Sequence, residues 1–327
     1  MGNSVGYGII GCGLIANWHA EAIRQIKNAK AVAVADTLPE RAKAFAEKHG
    51  LKAYADIDAL LADDDVQAVC ICTPSGTHAE LAMKAMEAGK HVLIEKPEAL
   101  KVEDCDRLIA IAREKQLTAG VVSQLRFSRD VQIARSLLRE NKLGDPVSAE
   151  LSMRYSRSPE YFSQSPWRGT KALDGGGALM NQGIHGVDIM LWIMGDVSQV
   201  HGYTRNVLHK IEVEDTAGAV FTFKNGAVGT LVASTASAPG YPRVLTVTGT
   251  KGCFTLTENA LTQCNVPHIA VSDTYTDAGG FAPENVPIEG HIAQLNNFTQ
   301  AVLTHTDPAV TLEEGRKAVE FILNVYK

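Results

Sequence analysis

The sequence lacks the features that mark membrane proteins and nucleic-acid-binding proteins. It has no apolar run long enough to span a bilayer, and its first residues, MGNSVGYGII, lack the basic start of a secretory signal. Gly6 stands where a myristoylation pattern needs Ser or Thr. The formal net charge is −6, and no block of basic residues indicates a nucleic-acid-binding surface. We therefore expect a cytoplasmic protein with no nucleic-acid or membrane partner.

The spacing of the cysteines indicates neither disulfides nor a metal site. The six cysteines show neither a disulfide framework nor paired CxxC spacing, which predicts reduced thiols and no metal site. Hydrophobic residues make up 45% and charged residues 21% of the chain, as in an ordinary globular protein. A length of 327 residues favours two domains, each with its own core.

The first part of the chain alternates short strand patterns with helical patterns. The order GYGIIG, LIANWHAEAIRQI and AKAVAVAD is strand, helix, strand, and the alternation continues through the strands VQAVCICTP, HVLIEKP and LTAGVV. Such βαβ units predict a doubly wound parallel sheet. We assign residues 1–123 to a Rossmann domain that binds a dinucleotide.

After residue 123 the pattern changes to consecutive strands without crossover helices. A helix near 129–140 precedes strands predicted at 147–155, 197–207, 216–223, 227–236 and 244–256, and helices at 289–304 and 312–326 close the chain. We assign residues 124–327 to an α/β domain built on a mostly antiparallel open sheet. Several strands are apolar or small on both faces, which predicts a homodimer or homotetramer through this sheet.

A GxGxxA turn lies between the first strand and the first helix. Gly11 permits the tight turn, Gly13 permits close approach of a pyrophosphate, and Leu14 and Ile15 open the helix whose N–H groups face the phosphates. Asp36 ends the second strand, where a carboxylate accepts hydrogen bonds from ribose hydroxyls. The negative charge of Asp36 predicts NAD, with NADP less favoured, although Arg41 lies one helical turn further on.

Two charges end the strand HVLIEKP. Strand carboxyl ends line the cofactor crevice of a doubly wound sheet, so Glu95 and Lys96 are predicted to lie beside the nicotinamide. The lysine can exchange a proton with the reacting hydroxyl or polarise a carbonyl. Thr73, Pro74 and His78 follow the preceding strand at the same edge, and His78 alternatively caps the next helix. A surface ion pair is the alternative for Glu95 and Lys96.

A second candidate segment, DGGGALMNQGIHGVDIMLWIMG, predicts a glycine turn that leads into a helix. Asn181, His185 and Asp188 have spacings of four and three, which places them on one helical face. His185 taken alone is as readily a satisfied core histidine. Asp188 either orients the imidazole or anchors the helix.

These motifs together resemble the Gfo/Idh/MocA family of oxidoreductases along essentially the whole chain. The resemblance rests on the GxGxxA loop, CTPSGTHAE at 72–80, EKP at 95–97 and the segment GGGALMNQGIHGVDIMLWIMG. It implies that Lys96 is the catalytic lysine and that His185 contacts substrate hydroxyls and assists proton transfer. Asn181 stands where many members have Asp, and an amide cannot take up a proton.

The segment RYSRSPEYFSQSPWRGTK, residues 154–171, is rich in arginine. Such clusters are often solvated loops, but the resemblance places Trp167 and Arg168 near the cofactor. Arg157 suits an anionic substrate such as a uronic acid or a sugar nucleotide. The complete predicted cofactor set is Gly11, Gly13, Leu14, Ile15, Asp36, Thr73, Pro74, His78, Glu95, Lys96, Gln124, Trp167 and Arg168, and the substrate set is Lys96, Asn181, Asp188 and Arg157.

The resemblance implies NAD(P)-dependent hydride transfer at a secondary hydroxyl or carbonyl of a sugar, cyclitol or sugar derivative. An NAD-dependent glycosidase and a non-catalytic dinucleotide sensor are the alternatives. The substrate, the direction of the reaction and the choice of Lys96 or His185 as the group that moves the proton stay open at this point.

Overall fold

The structure, a computed structural model, describes residues 4–275 and 287–327. The chain folds into two units. The first takes the described residues up to Gln124 together with Pro287–Arg316, and the second takes those from Leu125 to residue 275 together with Lys317–Lys327.

The first unit alternates strands and helices, as the sequence predicts. Its strands are β1 Val5–Ile10, β2 Ala29–Ala35, β3 Lys52–Tyr54, β4 Ala68–Ile71, β5 His91–Ile94 and β6 Ala119–Val121. Its early helices are α1 Leu14–Arg24, α2 Pro39–His49, α3 Ile57–Leu61, α4 His78–Glu87 and α5 Val102–Glu114. The short elements β3 and α3 escape the sequence prediction because three and five residues are too few to show a period.

The six strands form one parallel sheet of order β3-β2-β1-β4-β5-β6. The runs VGYGII, AVCI and HVLI have almost no exposed residue because helices cover both faces of such a sheet. The predicted Rossmann topology is confirmed.

The segment 287–316 belongs with the first unit, whereas the sequence prediction leaves it in residues 124–327. The reason is the apolar face of α9, Glu289–Thr304, which joins the core around β1 and α1 through Leu295, Phe298 and Val302. The periodicity of a sequence predicts that a helix has an apolar face, but it does not predict which core that face packs against. The assignment of 1–123 and 124–327 to cofactor and substrate domains stays a prediction.

The second unit contains a seven-stranded sheet. Its strands are β7 Pro146–Arg154, β8 Val197–Arg205, β9 Thr216–Phe223, β10 Val228–Ser234, β11 Val244–Gly249, β12 Cys253–Thr257 and β13 Ala260–Cys264. The order is β13-β12-β11-β7-β10-β9-β8, with β7 and β10 parallel and the other neighbours antiparallel. The predicted mostly antiparallel sheet is confirmed, as is the hairpin at Asn225-Gly226, where Gly226 has φ +91°.

Three α-helices lie within this unit, and a fourth begins in the first unit. They are α6 Arg129–Arg139, α7 Pro159–Ser163, α8 Ile184–Met194 and α10 Leu312–Val325. A π-helix, Ala178–Gly183, directly precedes α8. The sequence predicts one helix throughout this region, so the wider turn of its first six residues is a correction.

The single strand predicted over 244–256 is wrong. The structure folds these residues into the hairpin β11–β12, whose turn Gly249–Gly252 is closed by the Gly249 N–H donating to the Gly252 carbonyl at 2.8 Å. The run GTKG lacks an Asn-Gly or Asp-Gly pair, so the turn gives a weak sequence signal.

Candidate functional site

The glycine loop, Gly11–Gly13, joins β1 to α1. Gly11 has φ +96°, and an added Cβ would lie 2.7 Å from the Cys72 carbonyl oxygen, so glycine is required there. Gly13 has ordinary extended geometry as the N-cap of α1, and an added Cβ would meet only that same oxygen at 3.9 Å. The backbone beside Gly13 is therefore open to a ligand.

Asp36 follows β2 and is fixed by two backbone donors. Its Oδ2 accepts the Cys12 N–H at 2.8 Å, and its Oδ1 accepts the Leu38 N–H at 2.9 Å. The carboxylate is thus tied to the middle residue of the glycine loop. This contact holds it beside the position that a ribose would take next to the pyrophosphate.

The strand ends of the first unit lie in register. Ala35 pairs with Ile10, Ile10 with Ile71, and Ile71 with Ile94, so the next residue of each strand lies on one line across the sheet edge. That line contains Asp36, Gly11, Cys72 and Glu95. Three predicted cofactor residues, Asp36, Gly11 and Glu95, therefore lie on one line at the carboxyl edge, with Cys72 between Gly11 and Glu95.

Thr73 and Pro74 lie in the loop after β4, and His78 is the first residue of α4. His78 is 1% exposed, and its ring nitrogens lie 2.6 Å from the Pro97 carbonyl oxygen and 2.8 Å from the Thr73 carbonyl oxygen. Burial lowers the pKa of His78. The imidazole connects this loop to the EKP loop, so His78 has a structural role in holding the two loops together.

Glu95 is buried and pairs with a histidine of α1. Its Oε1 lies 2.8 Å from His19 Nε2, and its Oε2 accepts the Lys96 N–H at 3.2 Å. Burial alone would raise the pKa of Glu95, but the hydrogen bond and charge of His19 lower it to about 2. Burial opposes a charge on His19, yet the Cys72 and Cys70 side chains beside it raise the pKa of His19 well above its usual range. The pair anchors the backbone from which the half-buried Lys96 projects.

Two arginines dominate the arginine loop, residues 154–171, of the second unit. Arg157 donates from Nη2 to Gln182 Oε1 and from Nη1 to the Ser156 carbonyl, both at 2.8 Å, and its burial lowers its pKa. The Arg168 guanidinium lies 4.2 Å from the Tyr161 ring and 5.5 Å from the Trp167 ring. Stacked, partly buried guanidinium groups are stiffer than the solvated loop that the composition also allowed.

The π-helix begins on a buried carboxylate. Glu214 accepts the Gly177 N–H at 3.0 Å and the Leu179 N–H at 2.8 Å, and the Tyr326 hydroxyl donates to it at 2.8 Å. An added Cβ at Gly177 would clash with the Glu214 carbonyl oxygen. These contacts give a physical reason for the glycine run before Ala178.

The three predicted residues of the second segment have different surroundings. Asn181 lies in the π-helix and donates from Nδ2 to Asp174 Oδ1 at 2.6 Å. His185 is the second residue of α8 and is half-buried. Asp188 is buried in a bidentate ion pair with Arg126, at 2.8 Å from Nε and 2.6 Å from Nη2. The ion pair fits the anchoring alternative for Asp188 better than substrate contact.

Sequence reasoning missed the residues that hold these side chains in place. They are His19, Arg126, Asp174, Glu214 and Tyr326. His19 carried a signal, since it interrupts the apolar face of α1. The other four either lie far along the chain from their partners or belong to no recognisable sequence motif.

Comparison with known proteins adds the family. Residues 5–123 match the oxidoreductase family described as an NAD-binding Rossmann fold, and residues 131–255 match the GFO/IDH/MocA C-terminal domain. The chain belongs to the Gfo/Idh/MocA family of oxidoreductases. This confirms the resemblance, the enzyme class and NAD as the cofactor.

Proteins similar to this chain include several that are named as dehydrogenases. Myo-inositol 2-dehydrogenase of Thermotoga maritima is 29% identical over 324 residues, which cover 95% of this chain and 92% of that one. Glucose-6-phosphate 3-dehydrogenase of Bacillus subtilis is 30% identical over 242 residues, 71% of this chain and 68% of that one. The WlbA dehydrogenase of Bordetella pertussis, solved with NADH and UDP-GlcNAcA, is 27% identical with a TM-score of 0.89, covering 99% of this chain and 95% of that one.

The first unit of this Gfo/Idh/MocA protein fits NAD. Helix α1 begins after a glycine that provides no capping side chain, so its first N–H groups can serve a pyrophosphate. Gln124 is 7% exposed, and its Oε1 has no hydrogen-bond partner in the described part of the chain. An unsatisfied buried acceptor is costly unless a ligand donates to it.

Proposed function

We propose that this oxidoreductase transfers a hydride between NAD and a secondary hydroxyl or carbonyl of a sugar, cyclitol or sugar derivative. Bound NAD⁺ supplies the hydride acceptor. The functions of the relatives support the substrate class: they are named as acting on inositol and glucose 6-phosphate, and one was solved with UDP-GlcNAcA.

The register of the strand ends is the observation that carries the proposal. From β2 through β1 to β5, the sheet edge presents a carboxylate for the ribose, a glycine turn for the pyrophosphate and then Lys96. Neighbouring strands lie about 4.8 Å apart, so Lys96 is about 10 Å from the phosphate turn across the sheet. The three parts of the cofactor would follow this order.

Lys96 and His185 are the proposed proton-handling residues. Lys96 would hold the hydroxyl group of the substrate and either take its proton or polarise the corresponding carbonyl. His185 would contact a substrate hydroxyl and assist the proton transfer. Asn181 would orient the substrate by hydrogen bonding, since an amide cannot take up a proton as a base would.

Arg157 supports an anionic group on the substrate. Its guanidinium is held by Gln182 and lies 5.5 Å from the Tyr161 ring, so its direction is fixed. Fixed guanidinium groups suit carboxylates and phosphates. We therefore include uronic acids, sugar phosphates and sugar nucleotides among the proposed substrates.

A substrate panel monitored by NADH absorbance tests the proposal. Cyclitols, aldoses, uronic acids, sugar phosphates and sugar nucleotides are each offered with NAD⁺, to wild type and to Lys96→Met. We expect at least one of them to reduce NAD⁺ with wild type and not with Lys96→Met. The NAD⁺ affinity of Lys96→Met serves as the control for a correctly folded cofactor site.

Two outcomes would contradict this function. Release of an aglycone from a glycoside with no net NADH would favour the NAD-dependent glycosidase. Tight NAD⁺ binding with no turnover of any panel member, and the same binding in Lys96→Met and His185→Gln, would favour a sensor.

We also propose a cytoplasmic homodimer or homotetramer joined through the second sheet. Its outward face carries the exposed Val220, Val228 and Val232 on the adjacent strands β9 and β10, alongside serine and threonine. The six cysteines, all within the described residues, are free, as suits a reducing compartment. No helix in the described ranges is long and apolar enough to cross a membrane.

Light scattering after size exclusion tests the oligomer. Val232→Glu places a charge at the centre of the outward face, so we expect it to yield monomers at concentrations where wild type is a dimer or tetramer. Lys224→Glu, at the exposed hairpin beside this face, is the matched charge control. A wild-type monomer, or an unchanged mass for Val232→Glu, would contradict the proposed interface.

A further inference from the structure

A buried carboxylate links two predicted parts of the site in the second unit. Asp174 is 1% exposed. Its Oδ2 accepts the Gly169 N–H at 2.7 Å, immediately after Trp167 and Arg168, and its Oδ1 accepts the Asn181 side-chain N–H at 2.6 Å. One side chain therefore ties the arginine loop to the π-helix.

The chemistry of this contact fixes the direction of the Asn181 amide. A carboxylate accepts hydrogen bonds but donates none, so only the NH₂ end of an amide can face it. The Asn181 carbonyl oxygen is thereby turned away from Asp174, and Gln182 Nε2 donates to it at 3.3 Å. Gln182 also donates to the Tyr161 hydroxyl and accepts from Arg157, both at 2.8 Å, so the carbonyl faces the side of the arginine loop.

We infer that Asp174 is a positioning residue that makes Asn181 a hydrogen-bond acceptor for a substrate hydroxyl. The inference rests on the proposed function, in which Asn181 orients the substrate. In this chain the Asp174 carboxylate stands one hydrogen bond behind the Asn181 amide. It sets the polarity of the contact without exchanging a proton.

The fixed donor at Gly169 makes the effect of Asp174→Asn predictable. The oxygen of the new amide takes the Gly169 N–H, so its NH₂ group faces residue 181. Asn181 must then rotate its carbonyl toward position 174 and present NH₂ to the substrate. We expect kcat/KM for the substrate to fall about 10- to 100-fold, as for a misplaced polar partner, while NAD⁺ affinity changes little.

The reciprocal exchange restores the original polarity. In the double variant Asp174→Asn with Asn181→Asp, the amide at 174 accepts from Gly169 and donates to the carboxylate at 181. The second oxygen of that carboxylate then takes the place of the wild-type carbonyl. We expect kcat/KM within about fivefold of wild type. The pH profile should gain a new acid limb as the carboxylate at 181 titrates.

Asn181→Asp alone places two carboxylates at hydrogen-bond distance. Such a pair shares one proton, so its activity should fall and depend on pH in a way that wild type does not. If Asp174→Asn does not fold, the comparison of Asn181→Asp with the double variant carries the same test. In that comparison the kcat/KM of the double variant must exceed that of Asn181→Asp by about tenfold.

Asp130→Asn is the matched control. Asp130 also accepts one backbone N–H and one side-chain donor, from Leu261 and Ser272, within the same unit. It should lose thermal stability without the change in kcat/KM or the new acid limb. A merely structural role for Asp174 would give the same pattern as Asp130.

Two results would overturn the inference. One is wild-type kcat/KM in Asp174→Asn, and the other is a double variant no more active than the worse single variant. Lys96→Met, assayed in parallel, distinguishes failure of the proposed function from failure of the role inferred for Asp174. Full activity in Lys96→Met refutes the proposed function, whereas an inactive Lys96→Met with no recovery in the double variant refutes only the role of Asp174.

Discussion

In the first unit the candidate residues follow the ends of strands in register, with Glu95 further held by His19, whereas in the second unit Asn181 and Asp188 are placed by buried side-chain partners. Gly11, Asp36 and Glu95 take their places from the register of one parallel sheet. Asn181 and Asp188 depend instead on Asp174 and Arg126. The candidate cofactor residues therefore follow from the register of the strands, whereas Asn181 and Asp188 depend on side-chain partners that folding brings to them.

The buried ion pair of the second unit should give the largest effect on stability. Arg126→Leu leaves the Asp188 carboxylate buried without its partner, so the free energy of unfolding should fall by about 3–5 kcal/mol. Chemical denaturation measures this directly. Lys224→Leu, which breaks the exposed pair with Asp196, is the control and should cost less than about 1 kcal/mol. Equal losses of unfolding free energy in Arg126→Leu and Lys224→Leu would contradict the expected difference between the buried and the exposed ion pair.

Two glycines of the glycine loop test how far the backbone itself determines the candidate cofactor site. Gly11→Ala forces a side chain into positive φ and toward the Cys72 carbonyl, so it should lower the free energy of unfolding by about 1–3 kcal/mol. Gly13→Ala meets no such obstacle, so stability should stay near wild type while its methyl group weakens NAD⁺ binding. Thermal melts and NAD⁺ titrations separate the two effects. Identical behaviour of the two variants would count against the assigned roles.

The His19–Glu95 pair predicts how stability depends on pH. The pKa of Glu95 is lowered from 4.5 to about 2, so its contribution is present above about pH 4.5 and is lost as the pH falls toward 2. The pKa of His19 is raised above 6.5, so its contribution is complete below 6.5 and is lost as the pH rises through the raised value. Glu95→Gln should flatten the acid limb in a series of melts across pH, while the upper limb, which the cysteines beside His19 set, should persist. A variant curve parallel to that of wild type would show that the pair does not titrate in this way.

Asp36 should give the smallest of these effects. Asp36→Ala removes the charge that disfavours a 2′-phosphate and the acceptor for the ribose, so the preference for NAD over NADP should narrow by about tenfold. Ratios of kcat/KM for the two cofactors measure it. An unchanged ratio would show that Asp36 serves only the loop through Cys12 and Leu38.

Local signals account for what the sequence revealed. The glycine turn, the strand ending in Glu95 and Lys96, and the hairpin at Asn225-Gly226 each lie within a few residues, and the structure has all three. The support of Asn181 and Asp188 was not predictable in the same way. A π-helix has no simple periodic signature, and partners such as Arg126 and Asp188 are 62 residues apart.

The central claim of the proposed function is that Lys96 and His185 both handle the proton of the substrate hydroxyl. A double-mutant cycle of Lys96→Met and His185→Gln on kcat/KM tests it most directly. Residues that act as one unit are strongly non-additive, so we predict a double variant no worse than the weaker single variant by more than about threefold. Losses that multiply, or full activity in either single variant, would contradict the account.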